Sequence, residues 1–205
     1  PGLRSYITFT LYICIEISLL FLPVKQSFMK TNIVLSFLLI LLVAVNLSCD
    51  KLDIVEEFDI EIDFVANSTS SDFADTILFD ATESSEMIDK YAKKIESIEI
   101  LEVTVWLTSF NGAEGQKIVT STLSVADENG NNPLVIGTVA DVALESLLDN
   151  PMPLTINQEG VDYFAELIKN DPHKALAMNV GSADSAPISF TSTFKFRVKM
   201  TANPL

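Results

Sequence analysis

His173 is the only histidine in the 205-residue chain, so a catalytic triad, a His-rich zinc site or a His–carboxylate relay would each lack the partners it needs. It follows Asp171-Pro172 in a loop and reads as an exposed structural residue. Carboxylates pose the opposite problem. A glycosidase needs two of them about 5–10 Å apart across a cleft, but with 28 acidic residues almost any fold brings two together, so their abundance carries no signal. The run Asp127-Glu128-Asn129-Gly130-Asn131-Asn132 offers oxygens at alternate positions, as calcium-holding loops do, yet it has no glycine in the sixth place and Thr138 stands where a bidentate Glu would be twelfth. A plain hairpin turn is the expectation. Glycine-rich phosphate loops and a Gly-x-Ser-x-Gly elbow are absent from the sequence. No catalytic residue, metal site or cofactor is therefore assigned, and the chain is read as a non-enzyme. The remaining chemistry-bearing candidates are Trp106 and Phe110, on or near the polar face of a strand, where they could form an aromatic platform for a sugar or a protein partner.

Charge narrows the partners. Up to Cys49 the chain carries Arg4, Lys25, Lys30 and Glu16. Removing these from thirteen basic and 28 acidic residues leaves ten and 27, a formal charge of about −17 on the remainder. A field of that sign repels phosphate backbones, and no cluster of Lys and Arg interleaves with aromatics, so a nucleic-acid partner is excluded. The two cysteines, Cys14 and Cys49, both precede this acidic part, which rules out an internal disulfide framework there.

The elements ahead of the acidic part look like export machinery. Met29-Lys30-Thr31-Asn32 opens a run from Ile33 to Val45 that is apolar apart from Ser36 and ends at Asn46-Leu47-Ser48-Cys49-Asp50. A short basic start, an apolar core of about 7–15 residues and a small residue before the cut make a secretory signal, whereas a spanning helix needs about 20 apolar residues. Leu47-Ser48-Cys49 resembles the lipobox of bacterial lipoprotein signal peptides; Asn46, where an aliphatic residue is usual, departs from it. The resemblance implies cleavage before Cys49, a diacylglyceryl group on its sulfur and attachment to a membrane. The acidic stretch behind it, Asp50 to Glu57, is similar to surface-export signals of Bacteroidota lipoproteins, while Asp50 directly after the cysteine is similar to the inner-membrane retention signal of enteric ones. The first analogy is preferred, placing the protein in the cell envelope at the outer membrane. Residues 1–28 are read as an upstream or non-native extension, with a first transmembrane helix as the alternative, although Glu16 in its middle would cost about 2.5 kcal/mol or more. The division is thus 1–28, a signal helix at 29–48, an acidic tether at 49–57 and one exported domain at 58–205.

Within that domain the hydrophobic period alternates between two and nearly four. Phe58, Ile60, Ile62 and Phe64 alternate with Asp59, Glu61 and Asp63, which predicts a strand with one buried face. Thr76 to Phe79 predicts a short second strand, and Ser84 to Ile95 a helix with Met87, Tyr91 and Ile95 on one side and Ser84 or Thr82 as cap. Ile98 to Phe110 predicts a strand in which a bulge at Ile100-Leu101 restores the alternation of Val103, Val105 and Leu107. Gln116 to Ala126 and Pro133 to Gly137 flank the hairpin turn, and Val139 to Leu148 predicts a short helix. Asn157 caps a better helix with Val161, Phe164, Ala165 and Ile168 on one face, stopped at Asn170-Asp171-Pro172. Strands at 175–180 and 188–201 close the chain, the second with Phe190, Phe194, Phe196, Val198 and Met200 facing one way. This is an antiparallel β-sandwich with two or three short helices. Its strand-helix-strand first half and long final strand are similar to cell-envelope lipoproteins of Bacteroidota. The expected function is a lipid-anchored binding or structural domain with a protein or polysaccharide partner; the alternative is a carrier of an apolar ligand held between sheet and helices.

Overall fold

The computed structural model describes residues 53–203. Cys49, the signal segment and residues 1–28 lie outside the described residues, as do residues 50–52 of the expected tether.

Among the described residues nine strands make two antiparallel sheets. Sheet A holds β1 (Ile54–Ser68), β9 (Ile188–Ala202), β3 (Ile95–Phe110) and the two-residue β6 (Met152–Pro153), in that order. Sheet B holds β2 (Asp72–Phe79), β8 (Ala175–Ala183), β4 (Lys117–Asp127), β5 (Leu134–Ala143) and the two-residue β7 (Thr155–Ile156). Alternation does the building: Ile60, Ile62, Phe64 and Ala66 of β1 are buried while the acidic residues between them are exposed. The same applies to β9, whose Phe190, Phe194, Phe196, Val198 and Met200 turn inward at 3% exposure or less. Lying between them in sheet A, β9 pairs over its whole length with β1 on one side and from Phe190 to Ala202 with β3 on the other. The ladder with β3 shifts register between Ile100 and Glu102, at the predicted bulge.

The sheets meet through aromatic edges and a buried polar contact. Phe73 of β2 packs on Phe190 of β9 with ring centroids 5.2 Å apart. Buried beside them, the Ser121 hydroxyl donates to Asn179 Oδ1 at 2.6 Å, and the Asn179 amide reaches Ser192 Oγ of the facing sheet at 3.5 Å. A buried amide without such partners would cost on the order of 1–3 kcal/mol, so the trio favours one alignment of the two sheets. Helix α3 (Gln158–Asn170) packs against β3 of one sheet and β5 of the other. As predicted, the Asn157 side chain caps it by accepting from the Glu159 N–H at 3.1 Å, and Val161, Phe164, Ala165 and Ile168 face the core. Phe164 fills the space between helix and sheets, 5.9 Å from Phe79 and 5.0 Å from Phe196.

Three expectations are corrected. The helix predicted over Ser84–Ile95 is two short ones, α1 (Ala81–Ser84) and α2 (Glu86–Tyr91), because Asp80 starts the first turn early and Ser85, extended at φ −148°, breaks the run. The buried pair is Ile88 and Tyr91, three apart, while Ile95 already belongs to β3. The helix predicted over Val139–Leu148 is the second half of β5 followed by a single 3-10 turn, Leu144–Leu147. Its helical spacing arose from adding Val139 of a strand to Leu144 and Leu147 of the turn, all three buried. Finally, Ile54 to Glu57 is not tether: it pairs with Lys199 to Ala202, so the sheet begins four residues early.

Candidate functional site

The outer face of sheet A collects the charged side chains. Because β9 runs antiparallel to both β1 and β3, three successive outward rungs set an acidic residue of β1 against a cation of β9: Glu57 opposite Lys199, Asp59 opposite Arg197, Glu61 opposite Lys195. The ion pairs form partly along diagonals, within reach of long side chains. Arg197 Nη2 lies 3.0 Å from Glu57 Oε2, Lys195 Nζ 3.4 Å from Asp59 Oδ2, and Lys199 Nζ 3.7 Å from Glu99 Oε2 of β3. On the neighbouring rung the Thr193 hydroxyl donates to Asp63 Oδ1. A groove of about 300 Å³ opens on this face, lined by Glu57, Phe58, Asp59, Glu102, Thr104, Lys195 and Arg197. Thr104 Oγ1 is buried at its floor without a hydrogen-bond partner.

Trp106 stands next to that groove. It is half-buried, lies opposite Thr193 of β9, and shares the outward side of β3 with Thr104 and Glu102. Phe110 does not join it. A register shift between Leu107 and Ser109 inserts one residue and flips the parity, so Phe110 comes opposite Phe190 on the inward side. There it packs against the core and next to Gly112, where an added Cβ would meet its ring at 2.6 Å. The two aromatics therefore do not form one platform; the structure brings Trp106 together instead with cross-strand charges that sequence spacing alone does not reveal.

The other candidates resolve into architecture. His173 is exposed, with Nδ1 3.1 Å from Asp80 Oδ2 and 3.3 Å from Thr82 Oγ1. Asp80 also accepts from the Thr82 N–H at 2.9 Å as the cap of α1. Burial alone would raise its pKa, but the Thr82 hydroxyl and His173 outweigh that and hold it below the ordinary 3.8. Beside it the Ala81 N–H donates to the Pro172 carbonyl at 2.7 Å, so this cluster fastens the end of β2 to the loop before β8. In the hairpin, Asp127 Oδ1 accepts from the N–H groups of Asn131 at 2.8 Å and Asn129 at 2.9 Å, and Oδ2 from the Asn131 amide at 3.2 Å. These donors, the Asn131 N–H foremost, hold its pKa below 3.8. With both oxygens engaged and Gly130 at φ +77°, the segment is a turn. Among the described residues no group of three or more His, Cys, Asp or Glu side chains could hold a metal ion, and no helix is long and apolar enough to cross a membrane.

No family model and no curated protein matches the chain. Among solved structures it is similar to a chain of Desmodium yellow mottle tymovirus, with 12% identity over 75% of this chain and 90% of that one and a TM-score of 0.35. It is also similar to a chain of tobacco necrosis virus, with 10% identity over 75% and 84% and a TM-score of 0.39. A third is the decameric BFDV capsid protein, with 9% identity over 72% and 98% and a TM-score of 0.34. Likenesses at these scores carry neither a family nor an activity over to this chain.

Proposed function

We propose that the chain is a lipid-anchored protein of the cell envelope, held at the outer membrane through Cys49, whose sandwich binds a protein or polysaccharide partner and catalyses no reaction. The observation that supports binding is the placing of Trp106 beside the charged groove on one open sheet face. An indole stacks on the C–H face of a sugar ring, while carboxylates and a guanidinium bond its hydroxyls, so a polysaccharide fits this chemistry better than an apolar peptide would. The non-enzymatic reading rests on the missing motifs. Carriage of an apolar ligand between sheet and helices is disfavoured because Phe79, Phe164 and Phe196 occupy that space.

Two measurements test the two halves. The intact mass of the protein from its native membrane fraction should equal residues 49–205 plus a diacylglyceryl group and an acyl chain; an unmodified chain starting at residue 29 or earlier overturns the anchor. Titration against envelope polysaccharides should show binding that Trp106→Ala weakens at least about tenfold, or about 1.4 kcal/mol. Binding unchanged in that variant overturns the site.

A further inference from the structure

The outer face of sheet B is as empty of charge as that of sheet A is full. Its rungs, read across β2, β8, β4 and β5, are Thr76–Met178–Ser124–Val135, Ala74–Val180–Thr122–Thr138 and Asp72–Ser182–Thr120–Ala140, with Leu78 and Leu176 together above them. Asp72, at one corner, is the only charged side chain among these positions, although the chain as a whole carries a formal charge of −15. Leu78 is 60% exposed and Val180 52%.

We infer that this face is a self-association surface on which two copies of the chain pack sheet against sheet about a two-fold axis. Charge selects a second copy as occupant. Two molecules of net charge −15 repel wherever acidic surfaces meet, and this face lets them approach with no like charges at the centre of the contact. Shape agrees. Large side chains, Leu78, Leu176, Met178 and Val135, stand at one end, while toward the other end a shallow hollow of about 570 Å³ opens, lined by Ala74, Thr120, Thr122, Ser182 and Val180 with Asp72 at its corner. A two-fold axis lying between the faces and perpendicular to the strands reverses the order of the rungs, so each copy sets its ridge in the other's hollow, the self-complementarity of an isologous interface. At strand spacings of about 4.8 Å and a rise of about 3.4 Å per residue the face measures roughly 20 by 24 Å, about 1,000 Å² over both copies, which is the size of a weak interface. The contact is therefore reversible and concentration-dependent.

Sedimentation equilibrium of the full chain in density-matched detergent tests this. The expected result is a monomer–dimer equilibrium that shifts toward dimer with added salt, because screening relieves the general repulsion. Val180→Lys and Thr122→Lys should each weaken it at least about tenfold with the thermal midpoint unchanged, while Glu102→Lys on the opposite sheet leaves it intact. A chain that stays monomeric up to about 1 mM, the concentration of a contact worth only about 4 kcal/mol, overturns the inference. So does a dimer that persists in both Lys variants. Protection of Val180 and Thr122 by lipid vesicles or by another protein, with no dimer, overturns it too.

Discussion

On sheet A the outward positions of β1 are mostly acidic and those of β9 mostly basic or hydroxylated, whereas on sheet B the outward positions of four strands carry Thr, Ser, Ala, Met178 and aliphatic side chains, with Asp72 alone charged at a corner. Both sheets use the same device inward, mostly apolar residues at alternate places around the buried Ser121–Asn179–Ser192 contact. What differs is only what faces away from the core. Solubility of an acidic chain does not require sheet B to be bare of charge, and exposed large apolar side chains such as Leu78 and Val180 work against it. The contrast therefore reads as two surfaces with two uses: a polar groove beside an aromatic, and a neutral face that tolerates close approach.

If the division is one of inner stability and outer use, inner substitutions must cost most on either sheet. Phe196→Ala removes a fully buried ring that touches Phe164; chemical denaturation should show a loss of about 3–5 kcal/mol. A loss below about 1 kcal/mol would mean that the centre of sheet A is not packed as described. Next in size is Gly160→Ala. A Cβ there would stand 2.0 Å from the Val135 carbonyl oxygen, so α3 must lift off β5. A substitution that ordinarily favours a helix by up to about 1 kcal/mol should here destabilise by about 1–3 kcal/mol.

How much of this was legible follows from where the determining contacts lie. Strands β1, β3, β4, β8 and β9, the bulge at Ile100, the hairpin at Asp127 and the helix capped by Asn157 are each decided within a few residues, so the pattern of one segment suffices. The break at Ser85 was not legible, since Met87, Tyr91 and Ile95 keep a helical spacing while Ile95 is claimed by its pairing with Ala202, far along the chain. Trp106 was found as an outward aromatic, but its separation from Phe110 depends on a one-residue shift against β9 that nothing in residues 107–109 announces. The groove is long-range in the same way: Glu57, Glu102 and Arg197 become neighbours only once three distant strands are in register. Sheet B's neutral face could have been noticed in the sequence as strands without charge, yet only the strand order shows that those stretches lie side by side.

Polar contacts at the ends of the sheets fall between core and open face. Asp80 caps α1 and meets His173, and Asp80→Ala should cost about 1 kcal/mol near neutral pH. The folded-state pKa lies below the ordinary 3.8, so the carboxylate's contribution is present above that value and is lost as pH falls through the folded one. The difference between wild type and variant, followed by thermal unfolding from pH 7 down, should accordingly shrink below about pH 4. A difference that stays constant to the lowest pH would show that the aspartate acts through shape and not through its charge.

The smallest effects belong to the open faces, and they separate the two sheets most cleanly. Lys195, Arg197 and their carboxylate partners are 35–55% exposed in their side chains, so each pair contributes about 0–1 kcal/mol and is screened by salt. Arg197→Ala should lower stability by no more than that at low ionic strength, with the difference fading as salt rises. Thr122→Ser on sheet B, which removes one methyl from a neutral rung, should change stability by less than about 0.5 kcal/mol at any salt concentration. Measured side by side in a salt series, the pair asks whether charge on the outside of sheet A is coupled to folding at all. A salt-independent loss in Arg197→Ala would assign that side chain a packing role over Thr104 and Phe58, and the groove would then be a feature of stability before it is one of binding.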